Sequence, residues 1–140
     1  MASGAAADTA IVVTQPRRVS AISLAMRVAE ERGETVGETV GYAVRAEVRA
    51  GPRCRLLYCT TGGLLTQLAG CLTPSSAAAP PAAGDGGGDD DAAAAAVRSV
   101  GWTRLHRLSH IVVDEVHERS MLSDLFLAML RQCVSDGLAD

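Results

Sequence analysis

The 140 residues predict an α/β fold in which helices flank a parallel sheet. Short aliphatic runs at Ile11-Val12-Val13-Thr14 and His110-Ile111-Val112-Val113-Asp114 have the near-continuous apolar character of strands buried on both faces. Between and after them, apolar residues recur at spacings of three and four, the period of an amphipathic helix. Strands that alternate with helices build parallel sheets. The length allows one domain, spanning residues 11–135.

The elements follow in order. Ile11–Thr14 is the first strand. Pro16 breaks it, and from Val19 the period changes to that of a helix. Val19, Ile22, Met26 and Ala29 form the expected apolar stripe of this helix, with Glu30-Glu31-Arg32 as its wet end and Gly33 as its C-terminal cap. Residues 33–41 repeat Gly-Glu-Thr-Val-Gly and read as a turn feeding a strand at Val40–Val44. Arg55–Cys59 is the next strand, and Leu64, Leu65 and Leu68 suit a short helix after Thr60-Thr61-Gly62-Gly63. Residues 73–97 collapse to a composition dominated by Ala, Pro, Gly, Ser and Asp. Such a stretch buries too little apolar surface to offset its ordering entropy, so a disordered insertion is expected there. Order is expected to resume near Trp102, ahead of the strand opening at His110. Leu122, Leu125, Phe126, Met129, Leu130 and Cys133 then mark a last amphipathic helix.

Composition narrows the chemistry. Hydrophobic residues make up 48% of the chain but aromatics only 3%, so the core must be aliphatic. The net charge is −3, and Asp85, Asp89, Asp90 and Asp91 lie in the low-complexity stretch; without those four the balance is +1. Charge therefore neither supports nor excludes a nucleic-acid partner. All 13 basic residues are arginine. A phosphate loop of the G-x-x-x-x-G-K-[ST] type needs a lysine to reach the β/γ-phosphates, so these residues contain none. Cys54, Cys59, Cys71 and Cys133 form no C-x-x-C pair and no secretory leader precedes them, which predicts reduced, buried thiols in an intracellular protein. His106 and His110 stand four apart, but a strand opening at His110 does not present them as a metal pair. No apolar segment is long enough to span a bilayer.

Three segments carry candidate chemistry. Asp114-Glu115-Val116-His117 follows a strand, where ligands bind in open α/β sheets. Adjacent carboxylates there suit magnesium, which takes one or two protein oxygens and keeps several waters. A pair of acids on a solvated strand end is the plain alternative. Gln15-Pro16-Arg17-Arg18 also lies between strand and helix, where guanidiniums and free amides suit phosphate, or are simply a solvated first turn. Thr60-Thr61-Gly62-Gly63 offers hydroxyls and close backbone approach at a helix start, or an ordinary threonine cap.

Taken together, Thr14-Gln15-Pro16-Arg17-Arg18, Thr60-Thr61-Gly62 and Asp114-Glu115-Val116-His117-Glu118-Arg119 resemble the ordered motifs Ia, Ib and II of DEAH/RHA-type (DExH-box) RNA helicases of superfamily 2. The helix at Val19–Glu31 and Gly41-Tyr42-Ala43-Val44-Arg45 are similar to the family too, with Ala43 where many relatives carry glutamine. Gln-Pro-Arg-Arg differs from the Pro-Thr-Arg of DEAD-box proteins. Thr-Thr-Gly with Asp-Glu-Val-His resembles the RHA-like branch rather than splicing-type relatives.

The resemblance implies a partial first RecA-like, ATP-binding domain. Asp114 and Glu115 would hold Mg2+ with ATP, Glu115 would be the catalytic general base, and His117 would relay nucleotide state to a second RecA-like domain. Gln15, Pro16, Arg17, Arg18, Thr60, Thr61 and Gly62 would bind RNA through its backbone, independently of base sequence. The partners implied are RNA, ATP and that second domain, in the cytoplasm or nucleus, with no membrane. Motif I, expected ahead of Ile11, and motif III, expected after the last helix, are not in these residues. The expectation is a helicase fragment inactive by itself; a non-catalytic RNA-binding module and a vestigial fragment are the alternatives.

Overall fold

A computed structural model describes residues 10–72 and 108–135. Five strands form one sheet in the order β3-β2-β4-β1-β5. They are β1 (Ile11–Gln15), β2 (Val40–Val44), β3 (Glu47–Arg49), β4 (Leu56–Thr60) and β5 (His110–Val113). Helix α1 (Arg18–Glu31) follows β1, α2 (Thr61–Leu72) follows β4, and a 3-10 turn (Val116–Glu118) leads from β5 to α3 (Met121–Ser135). The insertion expected at residues 73–97 lies outside the described residues, as do Trp102 and His106.

The sheet is mixed rather than wholly parallel. β4 pairs in parallel with β1 and β2, and β1 pairs in parallel with β5, but β3 runs antiparallel to β2. Only Arg45 and Ala46 separate β2 from β3. Two residues suffice for a hairpin, whereas a parallel return needs a dozen or more. Ala46 takes a left-handed φ of 63° to close this turn. Gly41 lies where β2 passes the chain after β3; a Cβ there would press into the Arg49 carbonyl oxygen, so only glycine fits.

Both faces of the sheet are covered over β2, β4 and β1, as the continuous apolar runs require, but the edge strand β5 is not buried on both faces as its run suggested: Val112 is 46% exposed. One face carries Val12, Ala43, Leu57 and Cys59 against Leu64, Leu68 and Phe126 of α2 and α3. The other carries Val40, Tyr42, Val44 and Tyr58 against Ala21, Ala25 and Ala29 of α1. Strand alternation explains the split, because neighbours such as Leu57 and Tyr58 point to opposite faces.

The stripe expected on α1 holds at Ala29, which is buried, and at Ile22, which packs against the core, but not at Val19 and Met26. Val19 and Met26 are exposed at 73% and 54%, while Ala21, Ala25 and Ala29 are at most 1% exposed. Small alanines at i, i+4 and i+8 let the helix lie close against Tyr42 and Tyr58, whose rings supply the bulk. On α3, Phe126 and Cys133 are buried as expected, but Leu122 and Leu125 are about half exposed. The α1 C-terminus behaves as expected: Gly33 has φ 67°, and its N–H donates to Glu30 O at 2.9 Å.

Candidate nucleotide and nucleic-acid site

Three neighbouring strands, β4, β1 and β5, end side by side. Gln15 pairs in register with Thr60, and Thr14 with Val113. The Asp114 N–H donates to Thr14 O at 3.3 Å, extending this alignment one residue beyond β5. Segments separated by 46 and 99 residues are thus brought to one edge of the sheet. Parallel pairing causes it, since parallel neighbours present their carboxyl ends together.

Gln15 is the pivot of that edge. Its side chain is not at a surface: the residue is 2% exposed, and Nε2 donates to Asp114 Oδ2 at 2.6 Å. Its carbonyl oxygen accepts from Thr61 Oγ1 at 3.4 Å, with Thr61 also buried. Asp114 Oδ1 accepts from the Glu115 N–H at 2.8 Å. Among the described residues each Asp114 oxygen has one hydrogen-bond donor, which leaves outward lone pairs on an exposed residue. Glu115 sits at φ 53°, in the left-handed region that is costly for a side-chain-bearing residue and is found at sites that aim a functional group. Its Oε2 lies 3.3 Å from His117 Nε2, with both side chains exposed. Asp114, Glu115 and His117 are thus adjacent at the end of β5.

The arginines are held differently. Arg17, with Pro16 before it in the link from β1 to α1, pairs with Glu118 Oε1 at 3.2 Å. Arg18 pairs with Glu47 Oε2 at 3.2 Å, and Tyr42 Oη also donates to Glu47. The Tyr42 hydroxyl, followed by Arg18, holds the Glu47 carboxyl below its ordinary range. The Arg17 and Arg18 side chains remain 75% and 51% exposed. Exposed pairs of this kind are worth about 0–1 kcal/mol, so an arriving phosphate can replace the carboxylate. Glu118 and Glu47 received no role from sequence. Arg17 and Glu118 stand 101 residues apart, and no local spacing announces such a pair. Thr60 closes β4, while Thr61 and Gly62 open α2 beside Gln15.

Among the described residues no group of three or more His, Cys, Asp or Glu is placed to enclose a metal. A magnesium ion does not need one, because it binds through one or two carboxylates and keeps its waters. Asp114, with its open lone pairs, suits that mode. No helix among the described residues is long and apolar enough to cross a membrane.

The chain is similar to known proteins over most of its length. The chain is 44% identical over 125 residues to human DHX57, covering 89% of this chain and 7% of that protein. It is 42% identical over 125 residues to the DExH-box ATP-dependent RNA helicase DExH3 of Arabidopsis thaliana, covering 89% of this chain and 8% of the relative. The crystal structure of the Escherichia coli DEAH/RHA helicase HrpB superposes with a TM-score of 0.64 at 30% identity, over 99% of this chain and 14% of that one. The chain belongs to the DEAH/RHA helicase family. No protein-family model matches it. Its five-stranded sheet is that of a RecA-like helicase domain. As a DEAH/RHA member the chain spans less than a tenth of the curated relatives it matches.

Proposed function

We propose that this chain is part of the first motor domain of an ATP-dependent RNA helicase, contributing RNA contacts and half of the nucleotide site. The convergence of β4, β1 and β5 at one sheet edge carries this reading, because it brings Arg17 and Thr61 to the same edge as Asp114 and Glu115, with Gln15 bonded to both Thr61 and Asp114. The activity of DEAH/RHA relatives supports it. Asp114 would hold a magnesium ion through water, and Glu115 would take the proton of the attacking water. The ion, when bound, supplies charge neutralisation on the phosphates. His117, beside Glu115, would sense the nucleotide and pass its state to a second RecA-like domain. Arg17, Arg18 and Gly62 would meet the RNA backbone, with Pro16 and Thr60 shaping the two turns, while Thr61, buried with its hydroxyl on the Gln15 carbonyl, would brace that edge rather than present its side chain. Gln15 contributes from within. Such backbone contacts are indifferent to sequence, as a translocating motor requires.

Binding of single-stranded oligonucleotides tests the RNA half. Arg17→Ala with Arg18→Ala should weaken binding for every base sequence. The salt slope should fall by about 1.4, at about 0.7 for each phosphate that an arginine no longer neutralises. A base preference that survives the double change would count against the reading. A narrower possibility is favoured by the lysine-free composition: these 140 residues alone bind RNA without turning over ATP. RNA-stimulated phosphate release that disappears in Glu115→Gln would overturn that part.

A further inference from the structure

Gln15 carries the observation that the helicase reading leaves unused. A primary amide 2% exposed at the end of a central strand needs partners for both its donors and its oxygen. One N–H goes to the carboxylate of Asp114 at 2.6 Å, across the β1–β5 pairing. On the opposite flank, the backbone oxygen of the same residue takes the Thr61 hydroxyl. A side chain long enough to reach from β1 to β5, fixed by burial and aimed at one carboxylate oxygen, determines which lone pairs of Asp114 face outward. The Glu115 N–H fixes the other oxygen. We propose that Gln15 is a positioning residue for Asp114, orienting its carboxylate toward a divalent cation and linking that orientation to the Thr61 end of α2. This rests on the assignment of Asp114 as the cation-facing group. Hydrogen-bond partners of a group that holds a metal change metal affinity by about 10–100-fold when removed.

The test uses the 140-residue chain and Mn2+ as the probe, followed by paramagnetic broadening of the Glu115 and Val116 amide signals. Asp114→Asn should abolish the broadening. Gln15→Met keeps the length and apolar volume but loses the donor; it should raise the Mn2+ concentration needed for half-broadening about tenfold, with amide shifts of β2 and β4 unchanged. A purely structural glutamine would leave the midpoint where it is, and that result would overturn the proposal while leaving the Asp114 assignment intact. Broadening that persists in Asp114→Asn would instead remove the assignment beneath it. Should Gln15→Met fail to fold, a Mg2+ titration of the unmodified chain decides. The Gln15 side-chain amide protons should shift in step with the Glu115 N–H, and a stationary Gln15 pair beside a moving Glu115 would refute the coupling.

Discussion

Single residues here hold conformations that their own types disfavour. Ala46 at φ 63° and Glu115 at φ 53° both sit in the left-handed region, for opposite reasons. Ala46 serves only the two-residue link between β2 and β3. Ala46→Gly should therefore stabilise the chain by about 0.5–1 kcal/mol, since that conformation costs a Cβ-bearing residue about 1–2 kcal/mol and the unfolded-state entropy of glycine offsets part of the gain. A urea midpoint at or below that of the unmodified chain would show that the turn carries no such strain. Glu115 has a different justification. Its backbone turns the chain out of β5 at once, so that its own N–H reaches Asp114 and its carboxylate meets His117.

At the scale of elements, the fit of α1 to the sheet depends on smallness. Ala21, Ala25 and Ala29 touch the strand face that carries Tyr42 and Tyr58. Ala25→Leu should cost about 1–3 kcal/mol by overpacking, whereas Met26→Ala, at an exposed position, should stay within about 0.5 kcal/mol. Paired denaturant titrations check both; equal losses would put the buried face elsewhere. The opposite face relies on bulk instead. Phe126, fully buried between α2 and the sheet, should cost about 3–5 kcal/mol when changed to alanine.

For the whole molecule, buried titratable groups set the alkaline limit. Burial pushes the Cys54 thiol from 9.0 up to about 11 and the Cys59 thiol up to about 12. A group with a raised folded-state value contributes stability that is complete below its unfolded value when it is a base gaining a proton partner. For these thiols too the folded chain holds its protons more tightly than the unfolded one, so stability is lost as pH climbs from the unfolded toward the folded value. The urea midpoint should therefore fall from about pH 9 through about pH 11. Replacing both thiols, Cys54→Ala with Cys59→Ala, should flatten that decline even while lowering stability at neutral pH. An unchanged slope would assign the loss to other groups. Tyr42 and Tyr58 are also raised, chiefly by burial, and account for the part expected to remain. Cys54, Cys59 and Cys133, all buried, should also react with a disulfide reagent at about pH 8 only after unfolding.

Much was legible in the residues themselves. Unbroken aliphatic runs place β1 and β5, although only β1 is covered on both faces and β5 leaves Val112 exposed at the sheet edge. A change of period after Pro16 places α1, and Gly33 marks its end, since glycine enters the left-handed region freely. The three chemical segments were visible as short patterns following strands. What they do together was not, because strand order and register are long-range properties that no window of sequence contains. Val19 and Met26 are as apolar as any core residue, yet the neighbouring alanines face the sheet, where close packing favours the smaller group. Gln15 reads as a polar residue before a turn and is instead buried on Asp114, 99 residues away. Sequence by itself determined the family and most elements, whose signals are local, but not β3 or the 3-10 turn; only the tertiary structure decided which groups meet, because meeting depends on which strands pair.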